Sequence, residues 1–225
     1  MTSNTTKKTK PAERPNAAGF AHFTNDCGYH SALRIVAGRG AETIGTLRMT
    51  HDFDKHFSFS TSSAADALVR RACHRLVIGC CGVTRASPED DKKGIDYWIS
   101  TGHGRLGLDL KLRTKDYAAG RRRSIDCAIE LDGYGTCGWL LKPGGAHLIL
   151  FACADSGRVA MFDKSSLQTA VMLNVSRWLA DGHAKEIVTD SHRDGRTWKS
   201  RAIIVPGELL TQAVDDLGGA ANDGV

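Results

Sequence analysis

Apolar residues recur at helical spacing in the stretch SSAADALVRRACHRLV. They fall at positions 65, 68, 69, 72, 73, 76 and 77, which places them along one stripe of an α-helix. Ser63 suits the N-cap of this helix, and Asp66 three residues later suits a capping-box start. Gly79 or Gly82 would end the helix.

Downstream patterns predict a hairpin, two helices and a late strand. HLILFACADSGRVAMFD is typical of two strands that turn at Ser156-Gly157, and its first strand is apolar enough to be covered on both faces. SSLQTAVMLNVSRWLADG predicts an amphipathic helix capped by Ser165 or Ser166. The strand RAIIV and a last helix, PGELLTQAVDDLG, follow. This mixed order predicts an α/β (α+β) fold with a central mixed β-sheet flanked by helices.

A second hairpin, GIDYWISTGHGRLGLDLKLR, carries three charges at positions that would suit apolar or β-branched residues. A two-residue turn at Gly102-His103, or a four-residue loop around it, places Tyr97 opposite Leu108 and Ile99 opposite Leu106. One face of the hairpin is then apolar. On the other face Asp96 falls opposite Asp109, and Lys111 points the same way.

Two carboxylates across a β-ladder repel each other, since their Cβ atoms lie about 5 Å apart. A divalent cation between Asp96 and Asp109 removes that repulsion, and Mg²⁺ takes one or two carboxylates together with phosphate and water. The alternative is a solvent-facing polar side on which Lys111 offsets one aspartate. The register favours a site for Mg²⁺ or Mn²⁺, in which Lys111 neutralises a phosphate or positions a water.

GID followed by DLK resembles the motif of the PD-(D/E)XK nuclease superfamily. The resemblance as a whole covers about Ser60 to Leu167. Ile95 stands where the superfamily has proline. The resemblance implies a restriction-endonuclease-like core and a magnesium-dependent DNA endonuclease, similar to phage or mobile-element nucleases and Holliday-junction resolvases. It implies that Asp96 and Asp109 bind the metal, with Asp66 as a further acid on the preceding helix. Asp66 has helix capping as its alternative role.

Further candidates surround this motif. Glu130 in SIDCAIELD is a possible additional acid near the metal, with an exposed or salt-bridged glutamate as the alternative. The net charge of +5 suits a polyanionic partner such as DNA. The basic stretch RTKDYAAGRRR favours phosphate contacts over a merely solvated arginine run. Its candidate DNA-binding residues are Arg113, Lys115, Arg121, Arg122 and Arg123.

Other sequence features bound the class of protein. HExxH, GxSxG and phosphate-loop motifs are absent, so the sequence does not support a zinc protease, an α/β-hydrolase or an NTPase. Seven scattered cysteines predict free thiols in the cytoplasm, and the sequence shows neither a secretory signal nor a membrane span. Analogy with resolvases suggests a homodimer. A non-catalytic DNA-binding or anti-defence interaction protein remains the alternative function.

The chain is expected to divide into four parts. Residues 1–18 predict a disordered basic tail, and residues 19–59 an extension of uncertain structure that includes a short strand in GTLRMTHDF. Residues 60–180 would form the nuclease-like core. Residues 181–225 would add a strand and a helix that pack on it.

Overall fold

The computed structural model describes residues 48–51, 62–133, 136–193 and 196–222. The predicted tail and most of the predicted extension lie outside these residues. The helices are α1 (Ser63–Leu76), α2 (Pro88–Asp91), α3 (Lys164–Ala180) and α4 (Gly207–Asn222). The strands are β1 (Arg48–His51), β2 (Cys80–Arg85), β3 (Tyr97–Thr101), β4 (Gly104–Arg113), β5 (Asp126–Gly133), β6 (Thr136–Cys137), β7 (Leu148–Cys153), β8 (Val159–Asp163), β9 (Lys185–Arg193) and β10 (Arg196–Pro206).

The strands form two mixed five-stranded sheets. The first, called here the hairpin sheet, has the order β2-β3-β4-β7-β8, with β4 and β7 parallel. The second, called here the C-terminal sheet, has the order β1-β9-β10-β5-β6, with β1 and β9 parallel. Because β10 pairs with β5, the C-terminal strands are part of the main architecture and are not an appendage to it.

The α+β class predicted from the sequence is confirmed, although the strands are divided between two sheets where the sequence suggested one. Helix α1 begins as expected, but Ser62 is its N-cap and accepts a hydrogen bond from the Ala65 backbone. Helix α3 is capped by Asp163, which accepts a hydrogen bond from the Ser166 backbone and lies two residues before the first of the predicted serines. Gly102-His103 and Ser156-Gly157 both lie between paired strands, as predicted.

The hairpin sheet packs against other elements on both of its faces. Helix α1 packs on one face, where Val69 and Cys73 join Tyr97, Ile99 and Leu108 in a buried cluster. The other face meets the C-terminal sheet and helices α3 and α4 in the larger core, which contains Ile149, Phe151, Ile129 and Trp178. Asp109 pairs with Ile149 and Lys111 with Phe151. Since paired residues in a ladder share a face, Asp109 and Lys111 lie on the side of the larger core.

Among the residues that the structure describes, no helix has the length and apolar character needed to cross a membrane.

Candidate active site

The β3–β4 ladder has the register predicted from the turn, but its last pair is at Tyr97, so it stops short of Asp96 by one residue. Tyr97 pairs with Leu108 and Thr101 with Gly104. Beyond Tyr97 the register shifts, because the Asp96 backbone N–H donates to the Leu108 carbonyl at 2.8 Å. The expected Asp96–Asp109 pair is therefore not part of the ladder. Such irregularities re-aim side chains, and they are common beside active sites.

The end of the ladder gives Asp96 its position. Its Oδ2 accepts a hydrogen bond of 2.6 Å from the Leu110 backbone N–H, a bond that a continued strand would have supplied. Gly94, at φ 81°, turns the chain out of α2 just before this point. Ile95 consequently packs over Gly107, where an added Cβ would lie 3.2 Å from its side chain. The register set by the turn would have placed Ile95 opposite Leu110 on the apolar face, but it does not because β3 starts only at Tyr97.

Asp96 is held in an environment that disfavours its charge. Burial, and next the negative charge of Asp109, raise the pKa of Asp96 to about 7. A hydrogen bond with the Asp91 side chain acts in the same direction, while the Leu110 N–H and Lys111 oppose the rise. The two aspartates thus lie close enough to repel each other although they are not cross-strand partners. Asp91, the last residue of α2, was not predicted as part of the site.

Lys111 lies between the acids and an aromatic ring. Its Nζ is 2.8 Å from Asp109 Oδ1 and 4.4 Å from the centroid of the Trp139 ring. The side chains of Lys111 and Asp109 remain 25% and 13% exposed. The ion pair is therefore sheltered but not sealed from solvent, so an incoming anion could reach the ammonium. Trp139 also contacts Phe151 edge-on, which fixes the ring against the larger core.

A second lysine approaches from a distant part of the chain. Lys164 opens helix α3, and its Nζ donates to the carbonyls of Lys142 at 3.0 Å and Gly144 at 2.8 Å. Burial lowers the pKa of Lys164, with Asp109 opposing and Lys111 adding to the shift. Lys164 thus belongs to the same charged cluster. Its sequence context indicated only the start of a helix, because the contact is made through tertiary structure.

Glu130 reaches the cluster from the C-terminal sheet. It is partly buried on β5, and burial raises its pKa, while the charges of Lys111 and Lys142 lower it. A hydrogen bond from Ser200 also favours the charged form. The structure therefore brings Glu130 into electrostatic range of Lys111, as the sequence suggested for a further acid.

Asp66 lies in a different environment. Its Oδ1 is 2.5 Å from Arg85 Nη2 and accepts a 2.7 Å hydrogen bond from the Tyr97 hydroxyl. Burial would raise the pKa of Asp66, but the hydrogen bonds from Tyr97 and Arg85 outweigh it, so the pKa lies below its usual value. Tyr97 belongs to the core cluster under α1. Asp66 is thus placed on the α1 side of the hairpin sheet, away from the face that carries Asp109.

The basic stretch 113–123 is anchored at a buried carboxylate. The Asp116 side chain is only 1% exposed, and it pairs with Arg158 at 3.1 Å. It also accepts hydrogen bonds from the Ser156 hydroxyl and the Ala118 backbone. These contacts tie the basic stretch to the β7–β8 turn, so its backbone is held in place next to β4.

The basic side chains differ in how far they are already engaged. Arg113 donates to the Asp126 carbonyl at 3.4 Å, and Arg121 donates to the Tyr117 carbonyl. Lys115 lies 5.5 Å from the Tyr117 ring centroid. Arg122 is 3.7 Å from both Asp126 and Glu208, whereas Arg123 is exposed. A phosphate contact would compete with internal partners at Arg122 and less so at Arg123.

The donor set fits a hard divalent cation. Asp96 and Asp109 offer two mutually repelling carboxylates, which Mg²⁺ or Mn²⁺ prefers as ligands alongside water and phosphate. Within residues 48–51, 62–133, 136–193 and 196–222, no three His, Cys, Asp or Glu side chains are grouped as a metal cage. This is compatible with Mg²⁺, which usually keeps several waters and needs few protein ligands.

Comparisons with models of protein families, with curated proteins and with solved structures found no match.

Proposed function

We propose that this protein is a metal-dependent DNA endonuclease that hydrolyses phosphodiester bonds. The observation that carries the proposal is the convergence of Asp96, Asp109 and Lys111. Asp109 and Lys111 are 2.8 Å apart, and the charge of Asp109 together with burial raises the pKa of Asp96. A folded chain gains no stability from two buried acids that repel each other, whereas a divalent cation makes the arrangement favourable.

The side chains have distinct roles in this reaction. Asp96 and Asp109 would hold Mg²⁺ or Mn²⁺, which acidifies a bound water and stabilises the charge that develops on the phosphate. Lys111 would move its ammonium from Asp109 toward a phosphate oxygen or the attacking water, and Trp139 would keep the lysine side chain aligned. Glu130 is the further acid of the site.

Phosphate contacts outside the reacting centre fall to the basic stretch. Its side chains flank the C-terminal end of β4, the strand that also carries Asp109 and Lys111. Such contacts are independent of sequence and weaken as salt rises. We further propose a homodimer, since cutting both strands of DNA calls for two active sites. The candidate DNA-binding residues are Arg113, Lys115, Arg121, Arg122 and Arg123.

A non-catalytic binding protein is the second candidate. It would bind either DNA or, as an anti-defence protein of a mobile element, a partner protein. One observation favours it: Lys111 is already engaged by Asp109 and by the Trp139 ring. An ammonium committed to those groups would stabilise the fold and leave the basic stretch as the functional surface.

A cleavage assay tests the two candidates. Plasmid and branched DNA are incubated with the wild-type protein in Mg²⁺ or in chelator, beside Asp109→Asn. The exposed Asp215→Asn serves as a matched control. We expect Mg²⁺-dependent cutting that Asp109→Asn reduces about 100-fold or more and that the control retains. DNA binding in chelator without cutting in Mg²⁺ would favour the binding protein, and neither binding nor cutting would favour a protein partner.

A further inference from the structure

A layered aromatic–cation pair lies on the hairpin beside the candidate metal site. The guanidinium of Arg105 sits 4.7 Å from the centroid of the Trp98 ring. Arg105 is exposed and Trp98 partly buried, so the cation lies over the indole and remains accessible from solvent. A guanidinium has a planar face for stacking and donors for phosphate.

The pair shares a face with the candidate metal ligands. Trp98 pairs with Gly107, and Asp109 follows Gly107 by two residues on the same side of β4. Two residues of a strand span roughly 7 Å, so the aromatic pair lies about one side-chain position from Asp109. The intervening Gly107 carries no side chain, although Ile95 packs over it.

Helix α2 braces the aromatic pair and the site together. The Trp98 indole N–H donates to Asp90 Oδ2 at 3.0 Å, which fixes the orientation of the ring. The next residue, Asp91, is in hydrogen-bond contact with Asp96. Asp90 is itself held by Ser87, whose hydroxyl accepts from the Asp90 backbone N–H at 3.2 Å. The indole is therefore pre-organised relative to the candidate metal ligands.

Charged side chains of both signs lie near the pair. Asp90 contacts the indole, and Lys93 lies 3.5 Å from Asp90. Lys92 and Lys93 follow α2 and are exposed, as is the turn residue His103, two positions before Arg105. Aromatic and arginine planes that solvent can reach are features by which proteins bind single-stranded nucleic acid, because every base offers a face for stacking. Duplex DNA keeps its bases stacked inside and cannot use such a surface.

We propose that Trp98 and Arg105 form a stacking platform for an unpaired base, so that the site engages DNA with a single-stranded or branched segment next to the phosphate. This inference rests on the proposed function for the position of the phosphate. The platform itself is a binding surface, and its binding can be measured without any cutting.

Fluorescence anisotropy in chelator tests the platform with labelled oligonucleotides. The probes are a single strand, a splayed fork and a blunt duplex, each measured with wild type, Trp98→Leu, Trp98→Phe, Arg105→Ala and Arg105→Lys. Arg71→Ala removes an exposed arginine from α1, which covers the opposite face of the sheet, and is the charge-matched control. Thermal melting of each variant monitors the fold.

We expect Trp98→Leu to weaken binding of the single strand and the fork about tenfold and of the duplex less than twofold. Trp98→Phe retains a ring and should lose less. Arg105→Lys keeps the charge but not the plane, so it should lose affinity for the single strand and fork while holding the duplex. If Trp98→Leu has a lower melting temperature than the wild type, the binding of the two Arg105 variants tests the platform instead.

Equal losses on all three probes, or none, would overturn the platform. If the wild-type protein binds single strands through Trp98 and Arg105 but never cuts DNA, the platform is supported and the proposed nuclease activity is overturned. If it cuts DNA at a rate that substitutions of Trp98 and Arg105 do not change, the nuclease is supported and the platform is overturned. Failure of the wild-type protein to bind any probe would overturn the platform, while the nuclease is judged separately by cutting in Mg²⁺.

Discussion

The β3–β4 hairpin carries one charged cluster on each side, and the two are built differently. On the α1 side Asp66 is matched by Arg85 and the Tyr97 hydroxyl, and its pKa lies below the usual value. On the other side Asp96 has Asp109 as its neighbour, and its pKa is raised to about 7. Both carboxylates lie on or beside the same strand pair, yet only one is satisfied by its protein partners.

This is the difference expected between a structural ion pair and the functional site proposed here. A carboxylate that is matched by a guanidinium and a hydroxyl stabilises the fold and needs nothing further. Two carboxylates that repel each other, of which Lys111 pairs with only Asp109, are under-neutralised and attract a cation. Asp66 on α1 and Asp96 beside β3 were both candidate metal ligands in the sequence. Their neighbours in the structure distinguish the two carboxylates.

The largest expected effect concerns the lysine of the under-neutralised cluster. Lys111→Met should lower the rate of Mg²⁺-dependent DNA cutting about 100-fold, because the transition state loses its nearest ammonium. Lys111→Arg should recover part of the rate. The measurement is single-turnover cleavage of plasmid DNA.

Arg85→Met supplies the comparison from the α1 side. It breaks the ion pair with Asp66 and should lower the melting temperature while leaving the cleavage rate of the folded protein within about threefold. Equal loss of cleavage in Lys111→Met and Arg85→Met would show that the two clusters do not differ in function.

The stability of the metal-free protein should respond to pH in opposite ways at the two clusters. Asp96 has a folded pKa of about 7 against 3.8 in the unfolded chain. The stability that the protonated side chain contributes is therefore fully present below about pH 4 and is lost as pH rises to 7. Asp96→Asn should therefore stabilise the protein at pH 8, by about 1–3 kcal/mol, and change little at pH 4. Urea unfolding in chelator measures both.

Asp66 should show the reverse dependence. Its folded pKa is lowered, so its stabilisation is present above pH 3.8 and is lost as pH falls through the folded pKa. Asp66→Asn should destabilise the protein at pH 8 by about 1 kcal/mol, with the difference shrinking in acid. A destabilising Asp96→Asn at pH 8 would mean that Asp96 is a satisfied structural acid like Asp66.

The sequence predicted local features well and long-range ones poorly. The 102–103 turn and the alternation of apolar residues specified the register of Tyr97 with Leu108, because both depend on neighbours in the chain. The start of β3 could not be predicted, since it depends on α2 and Gly94 turning the chain. Strand β9 was missed because its mixed polar sequence becomes a strand by pairing with β1 and β10.

The candidate site follows the same division. Asp96, Asp109 and Lys111 are close in sequence along one hairpin, and their proximity was predictable. Lys164 was not, because nothing in SSLQTAV indicates that the preceding residue contacts the carbonyls of Lys142 and Gly144. Asp66 was grouped with the metal ligands because a sequence shows which helix carries an acid but not which face of a sheet that helix covers.

Lys164 offers a smaller test of the under-neutralised cluster. Lys164→Met should reduce cutting about fivefold, because a cation near Asp109 is lost and the 142–144 loop loses two hydrogen bonds. Lys164→Arg keeps the charge but not the fit to the two carbonyls. If the arginine variant cuts like wild type, charge matters; if it cuts like the methionine variant, the loop contact matters.

The smallest expected effect lies outside both clusters, in the basic stretch. Arg123→Gln should weaken duplex binding two- to threefold and reduce the slope of log K against log salt by about 0.9, the loss of one phosphate contact. Arg122→Gln should do less, because Arg122 already neighbours Asp126 and Glu208 and gives up those partners to reach DNA. Anisotropy titrations from 50 to 200 mM salt measure both slopes. A larger change of slope for Arg122→Gln than for Arg123→Gln would show that pre-existing ion pairs do not predict which arginine binds phosphate, and the same reasoning would then lose force at Lys111.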